Sequence, residues 1–337
     1  MSSHFSPNEQ LFLQTQFNKT VQDSFIELEA RFGCPTKKYG YDKHRITRDQ
    51  FTGLLSSLQS SSEFRNLSKP ENISLDVRLC DNNYCYQQVR YTMEGVTNIK
   101  NYCRRNKLSD IEDLTILFKT RVLWNTSEIA NLQQKQYYKS QQESILKYTT
   151  IDTDIGIRSS LNYEVPLERT VDPDRPNQVM LTISSEIEDG ELTDECKELV
   201  MDTITKINEK RLDVDKAKKV FRYKKRYQFI QEENPSYRID LTIVKTSTLN
   251  EKKKLIPYSS LLESNIFSNN ESFEIEIEYL GNRSDDETEQ TLDTLRNEFL
   301  FRFSNIITTV YHKIYQKSPL SISLQQQVLR QYSLLVL

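Results

Sequence analysis

The chain has 337 residues with 48 acidic against 45 basic side chains, a mass of 39.8 kDa and a mean hydropathy of -0.65, which is length for one large domain or two ordinary ones. With 36% apolar and 10% aromatic residues, including 18 Tyr and 15 Phe, it can bury a sizeable core and is neither disordered nor fibrous. A net charge of -3 gives no global attraction to nucleic acid or anionic membrane, so any polyanion must be met by locally clustered Lys and Arg.

In chain order, the pattern predicts helices over 8-22 and 45-60, separated by a strand at 25-32. Strands follow near 73-80, 86-94, 115-124, 155-165 and 178-185, then a helix over 193-209 and strands at 219-230, 237-245 and 272-280. A last helix is predicted over 285-317, where Leu292, Leu295, Phe299, Phe303 and Ile306 recur at helical spacing and Asp285, Asp286 and Glu287 suit its N-terminus. The stretches 130-150 and 166-177, the latter with Pro166, Pro173 and Pro176, read as surface excursions. Only seven glycines are present, and neither phosphate-loop pattern occurs, neither G-x-x-x-x-G-K-[ST] nor G-x-G-x-x-G; P-loop and Rossmann nucleotide sites are excluded. Cys34, Cys80, Cys85, Cys103 and Cys196 form no C-x-x-C pair, and His4, His44 and His312 are the only histidines, so a zinc site is not expected. No run approaches the roughly 18 apolar residues of a membrane span, and Met1 to Gln10 lacks a secretory pattern, so a soluble, reducing compartment is expected.

The strand faces are unusual. In 273-279, Phe273, Ile275, Ile277 and Tyr279 share one face and Glu274, Glu276 and Glu278 the other, because side chains alternate with period 2. In 26-32, Glu27, Glu29 and Arg31 oppose Ile26, Leu28, Ala30 and Phe32. In 221-229, Arg222, Lys224, Arg226 and Gln228 oppose Phe221, Tyr223, Tyr227 and Phe229, with Lys225 the one charge on the apolar side. Arg238, Asp240 and Thr242 share a face, as do Arg158, Ser160, Asn162 and Glu164, and also Lys119 and Arg121. Carboxylates two residues apart sit about 7 Å from each other and repel by roughly 2 kcal/mol at an effective dielectric of about 20. Solvent would screen that; an inward face instead requires cationic partners or a hard divalent ion such as Mg²⁺ or Mn²⁺. One such strand alone reads as a solvated edge. Several, with opposite signs on different strands, read as an inward polyanion site whose outward apolar faces the helices cover.

These segments, Ile26-Glu27-Leu28-Glu29-Ala30-Arg31-Phe32-Gly33, Arg158 to Pro166, Arg222-Tyr223-Lys224-Lys225-Arg226-Tyr227, Arg238 to Val244 and Phe273 to Tyr279, resemble in order and spacing the triphosphate tunnel metalloenzymes. Within that family they are most similar to the metal-dependent RNA 5′-triphosphatases of fungal and large-DNA-virus mRNA capping, with a giant-virus character. The resemblance implies an α+β fold, an eight-stranded antiparallel barrel with a charged lumen covered outside by helices, over residues 1-320. It implies that Glu27, Glu29 and Glu278 ligate Mg²⁺ or Mn²⁺ and that Arg158, Lys224 and Arg226 hold phosphate oxygens. Asp240 and Glu276 would orient the attacking water, and Arg238 with Glu274 would brace the lumen by ion pairing. Arg90, Lys119, Arg121 and Arg222 are further candidate substrate-binding residues.

The expected activity is hydrolysis of the γ-phosphate of nascent mRNA, leaving a 5′-diphosphate end. The alternatives are an inorganic tri- or polyphosphatase, a nucleoside triphosphatase of the same fold, and a noncatalytic RNA- or polyphosphate-binding module. Expected partners are 5′-triphosphate RNA and a guanylyltransferase, since no Lys-x-Asp-Gly motif is present; no membrane is expected. The setting would be cytoplasmic, in a viral factory or virion, or nuclear if cellular. Residues 206-226 hold ten Lys or Arg that either guide RNA or form a solvated face. The apolar ending Leu334 to Leu337 is expected to make 321-337 a docking tail or a link to a following domain.

Overall fold

The structure, a computed structural model, describes residues 25-36, 40-42, 46-68, 72-81, 84-121, 123-125, 145-147, 149-152, 157-172, 175-188, 190-251 and 254-280, together with helical positions 306, 309-310 and 313-314. In chain order the strands are β1 (Ile26–Phe32), β2 (Cys34–Thr36), β3 (Gly40–Asp42), β4 (Phe64–Asn66), β5 (Ile73–Asp81), β6 (Tyr84–Cys85), β7 (Val89–Glu94), β8 (Leu114–Arg121), β9 (Leu123–Asn125), β10 (Ile145–Lys147), β11 (Thr149–Asp152), β12 (Ile157–Asp172), β13 (Arg175–Ile183), β14 (Lys218–Gln231), β15 (Asn234–Thr246) and β16 (Ser272–Tyr279). The helices are α1 (Arg48–Ser60), α2 (Gly95–Arg105) and α3 (Asp194–Glu209). This is an α+β arrangement of antiparallel sheet with few helices.

Twelve strands share one sheet, and β2–β3 and β9–β10 stand apart as two-stranded pairs. Along the sheet β14, β15, β16, β1, β12, β8, β7 and β5 pair in that order. β5 also pairs with β14, from Cys80 opposite Lys218 to Ile73 opposite Lys225. The expected eight strands are thus part of a larger sheet: β4 adds to β14, β6 to β5, and β11 and β13 to β12.

The apolar faces of these strands hold the core. Ile275, Ile277, Ile239, Leu241, Phe221, Phe229, Leu75 and Val77 are all buried. Helix α1 covers part of that face with Phe51, Leu54 and Leu58, its Phe51 ring lying 5.0 Å from that of Phe273. Thr47 starts α1 through a capping box with Gln50, which satisfies backbone donors that a helix leaves open. Thr193 accepts from the Cys196 N–H at 3.3 Å to start α3, which buries Cys196, Val200, Ile204 and Ile207. The described positions near the C-terminus bury Ile306, Val310 and Ile314 at four-residue spacing, in keeping with the helix expected there. Leu292, Leu295, Phe299 and Phe303, the helix expected over 8-22 and the tail 321-337 lie outside the described residues.

Three expectations need correction. The excursion placed at 166-177 holds strand instead: β12 runs to Asp172, and β13, which starts at Arg175, pairs with it. Proline is tolerated at 166 because β12 leaves β1 after Tyr163 and takes up β13 from Leu167, so the missing N–H falls between two ladders on that edge. Likewise β10 and β11 both begin inside the stretch 130-150. Third, Cys80 and Cys85, which the sequence left unpaired, form a disulfide, because the β5–β6 pairing sets them directly opposite with Cα atoms 4.0 Å apart. Helix α2 was not anticipated; it buries Ile99 and Tyr102, and Asn106 ends it in a left-handed conformation, its N–H donating to the Tyr102 carbonyl.

Candidate active site

Period-2 alternation on successive paired strands collects charge on one face. From β1 come Glu27, Glu29 and Arg31; from β16 Glu274, Glu276 and Glu278; from β15 Arg238, Asp240 and Thr242; from β14 Arg222, Lys224 and Arg226. β12 adds Asn162 and Glu164, β8 Lys119 and β7 Arg90 and Thr92. β5 adds Asp76 and Arg78, which sequence reasoning missed. Register fixes the order: Glu29 faces Glu278, Arg31 faces Glu276, and Arg238 faces Glu278. Arg158 stands opposite Arg31, and Arg121 opposite Asn162.

Several ion pairs reach over an intervening strand. Lys119 on β8 crosses β12 to Glu27 and to Glu29, the latter at 3.4 Å; Arg90 on β7 crosses β8 to Glu164 at 2.8 Å; Arg222 on β14 crosses β15 to Glu274. Strands two apart are separated by roughly 9.5 Å in a flat sheet, a span that a long cation and a glutamate can bridge and that an inward-curled face would shorten.

The face divides into two walls. On the acidic wall, burial is the main force raising Glu27 to about 8; Lys119 opposes it, and Glu164, Glu29 and Glu278 add to it. Glu278 is raised to about 7, again mainly by burial, with Arg238 opposing and Asp240 adding. Burial disfavours the charge on Lys119, but Glu29, Glu27 and Glu164 together reverse that and hold its pKa above the usual lysine value. On the basic wall, Asp76 is 1% exposed and accepts from Lys224 at 2.9 Å and from the Thr92 hydroxyl at 3.0 Å. Burial works against its charge, but Lys224, Arg90 and Arg222 hold it below the usual carboxylate range. Lys224 is lowered to about 7 by burial, with Asp76 resisting and Arg90, Arg226 and Arg222 assisting.

Two bracing roles differ from expectation. Arg238 pairs with Asp240 at 2.8 Å and with Glu278, while Glu274 pairs with Arg222, so the expected Arg238–Glu274 pair is replaced by two pairs set by register. Arg226 approaches Asp240 at 3.6 Å, and Arg31 pairs with Glu276. Both proposed water-orienting acids are therefore held by guanidinium groups. The basic stretch 206-226 also divides: Lys206, Lys210 and Lys216 are exposed, whereas Lys219 is buried with its Nζ donating to the carbonyls of Asp215 and Ala217.

Oxygen donors alone line the acidic wall, a set that suits a hard divalent cation. Among the described residues no three carboxylates converge closely enough to hold an ion as they stand; the Lys119 ammonium sits on Glu27 and Glu29, and Arg238 on Glu278. Buried polar atoms on the same face, Asp76 Oδ2, Arg78 Nε, Arg90 Nε, Asn162 Nδ2 and Thr242 Oγ1, have no hydrogen-bond partner among the described residues. Atoms of this kind are rare in folded proteins unless something else satisfies them. The face is chemically suited to a polar, anionic guest together with a cation.

No protein-family model matches the chain, and no curated protein does. Among solved structures, it is similar to the RNA triphosphatase domain of a trifunctional mimivirus mRNA capping enzyme, at 15% identity over 92% of this chain and 99% of that one, with a TM-score of 0.43. A triclinic structure of the mimivirus capping enzyme triphosphatase gives 15% identity, 92% and 100% coverage and 0.44, and a monoclinic one 17%, 89% and 98%, and 0.41.

Proposed function

We propose that the eight strands pairing in succession enclose a tunnel, and that the chain is a divalent-metal-dependent RNA 5′-triphosphatase, acting at the first step of mRNA capping. One observation carries this reading: a charged face on which a carboxylate wall (Glu27, Glu29, Glu278, Glu164) meets a cationic wall (Arg90, Lys224, Arg222, Arg226), with polar atoms of both walls left for a guest. A triphosphate and a divalent cation supply the charges such walls lack. RNA is the preferred carrier of the triphosphate because the Arg-Tyr-Lys-Lys-Arg-Tyr segment and the Arg-x-Asp-x-Thr strand resemble the capping branch.

In this mechanism Lys224, Arg90 and Arg226 hold oxygens of the γ-phosphate, with Arg158 added by motif match. They stabilise charge that grows as water attacks phosphorus in line and the bridge to the β-phosphate breaks. The bridging oxygen leaves with the electron pair, giving a diphosphate end and orthophosphate. Glu27, Glu29 and Glu278 would hold Mg²⁺ or Mn²⁺, which when bound supplies Lewis-acid stabilisation of the γ-phosphoryl oxygens. Loading requires Glu27 and Glu278 to give up their protons and Lys119 to withdraw from Glu27. Arg238 and Arg31 fix Asp240 and Glu276 in place, and those acids accept hydrogen bonds from the attacking water. The diphosphate end must next be consumed by a nucleotidyl transfer, so a guanylyltransferase is the proposed partner.

Product identity tests the reading. Triphosphate-ended RNA with Mn²⁺ should yield orthophosphate and a diphosphate end; pyrophosphate as the main product would remove γ-phosphoryl hydrolysis.

A further inference from the structure

Among the described side chains of the charged face, the cations are paired almost without exception. Lys119, Arg31, Arg90, Arg222, Lys224, Arg226 and Arg238 each lie within 4 Å of a carboxylate oxygen. Arg78 stands apart: among the described residues its guanidinium makes neither an ion pair nor a hydrogen bond, and its Nε is buried. It is on the charged face, since it follows Asp76 by two residues while Val77 and Leu79 turn into the core. Burial lowers it to about 10, with Asp76 opposing and Arg222 and Arg90 adding to the fall. A charge left unpaired in such a place costs stability unless a ligand meets it.

Its position says which part of a ligand. Lys224 lies opposite Ser74, Arg222 opposite Asp76 and Val220 opposite Arg78, so Arg78 sits about 7 Å beyond Asp76 along β5, on the side away from the Lys224 register position. That step is comparable to the length of a triphosphate chain. Beyond it β5 ends at Asp81, which Lys210 approaches at 3.8 Å, and the exposed Lys206 and Lys216 lie on the segment leading into β14 at this end. The disulfide Cys80–Cys85 ties down the backbone here.

We propose that Arg78 forms, with Arg222, a second anion position that holds the phosphates remaining on the substrate after the γ-phosphoryl group has left, so that the RNA body lies toward the β5–β14 end of the tunnel. This rests on the triphosphatase reading and adds to it the polarity of the bound chain. A guanidinium suits the task because its planar fork grips two phosphate oxygens at once.

The test uses the full chain and two variants, R78Q and R78M. Inorganic tripolyphosphate and orthophosphate are titrated without added divalent ion, and KM and kcat are then measured on triphosphate-ended RNA with Mn²⁺. Arg78 as an anion site predicts that both variants weaken tripolyphosphate binding tenfold or more while orthophosphate, which needs only the Lys224 position, changes less than twofold. KM should rise by more than kcat falls. R78M should also melt at a higher temperature than the wild type, because a half-buried cation set beside Arg222 and Arg90 has been removed. Tripolyphosphate binding within twofold of wild type, equal losses for both anions, or a collapsed fold in R78M would each overturn the proposal. If the wild type hydrolyses RNA and R78Q keeps its KM, Arg78 is wrong and the triphosphatase reading stands. If the wild type binds tripolyphosphate through Arg78 yet releases no orthophosphate from RNA, the anion site stands and that reading falls.

Discussion

Glu27, half-buried, and Asp76, buried, are carboxylates on one charged face, and they are displaced in opposite directions. Glu27 is raised to about 8 among three other carboxylates and one lysine, whereas Asp76, facing Lys224, Arg90 and Arg222, is held below the usual range. Burial alone raises both. What decides the sign is which charges the neighbouring strands bring, and register decides that. Asp76 is therefore a structural member of its wall, already neutralised, while on the Glu27 wall the positive charge is too little to keep Glu27 and Glu278 ionised, a shortfall that a bound cation would make up.

The largest consequence should appear in activity. Replacing Glu27, Glu29 or Glu278 by Gln keeps shape and loses charge; phosphate release should fall by about a hundredfold or more, with far-ultraviolet circular dichroism unchanged. Near-normal turnover in any of the three would erase the distinction between the walls. Next in size is Asp76→Asn, which leaves Lys224 buried without its partner and should cost about 3 to 5 kcal/mol in a denaturant titration. A second change, Lys224→Met, should recover much of that loss. If Asp76→Asn proves neutral, the basic wall is not held together as described.

A smaller effect concerns pH. Between about pH 4.5 and 7, Glu27 and Glu278 bind more protons in the folded than in the unfolded chain. Their contribution to stability is therefore fully present below about 4.5 and is lost as pH rises through about 7 and 8. Asp76 acts only at lower pH and Lys224 only above about 7, so neither masks the trend. The metal-free protein should lose on the order of 2 kcal/mol from pH 5 to pH 7, and Mn²⁺ should restore more stability at pH 7 than at pH 5. Thermal melts at the two values check this, and a rise in stability with pH would contradict it. Smallest of all is the pair between Arg48 and Glu271, where Arg48 is 69% exposed. Arg48→Ala should change stability by no more than about 1 kcal/mol, and a larger loss would mean that ion pairs off the charged face matter as much as those on it.

Much of this was legible in alternation. β1, β15 and β16 show period 2 without interruption and β14 breaks it within 221-229 only at Lys225, so their charged faces could be read directly and the register then brought them together. β5 was placed as a strand, but its face was not read, because Ser74, Asp76, Arg78 and Cys80 mix one acid and one base with two small residues and look like an ordinary solvated edge. The same alternation was present, and only the pairing with β14 gives it meaning. Helix α2 was missed because its apolar residues, Val96, Ile99, Tyr102 and Cys103, are separated by charged and amide side chains and begin directly after a strand at Gly95, whose φ of 81° suits a sharp turn. Pair choice was beyond the sequence: Arg238 could meet Glu274, Glu276 or Glu278 by alternation alone, and only register selects Glu278.

The central claim, that the acidic wall is a cation site serving γ-phosphoryl hydrolysis, is tested most directly by orthophosphate release from γ-labelled triphosphate RNA across a Mn²⁺ titration, with wild type and Glu278→Gln side by side. The account predicts no release without the ion, saturable release with it in the wild type, and loss of that response in the variant. Equal release with and without Mn²⁺, or an undiminished Mn²⁺ response in Glu278→Gln, would contradict it.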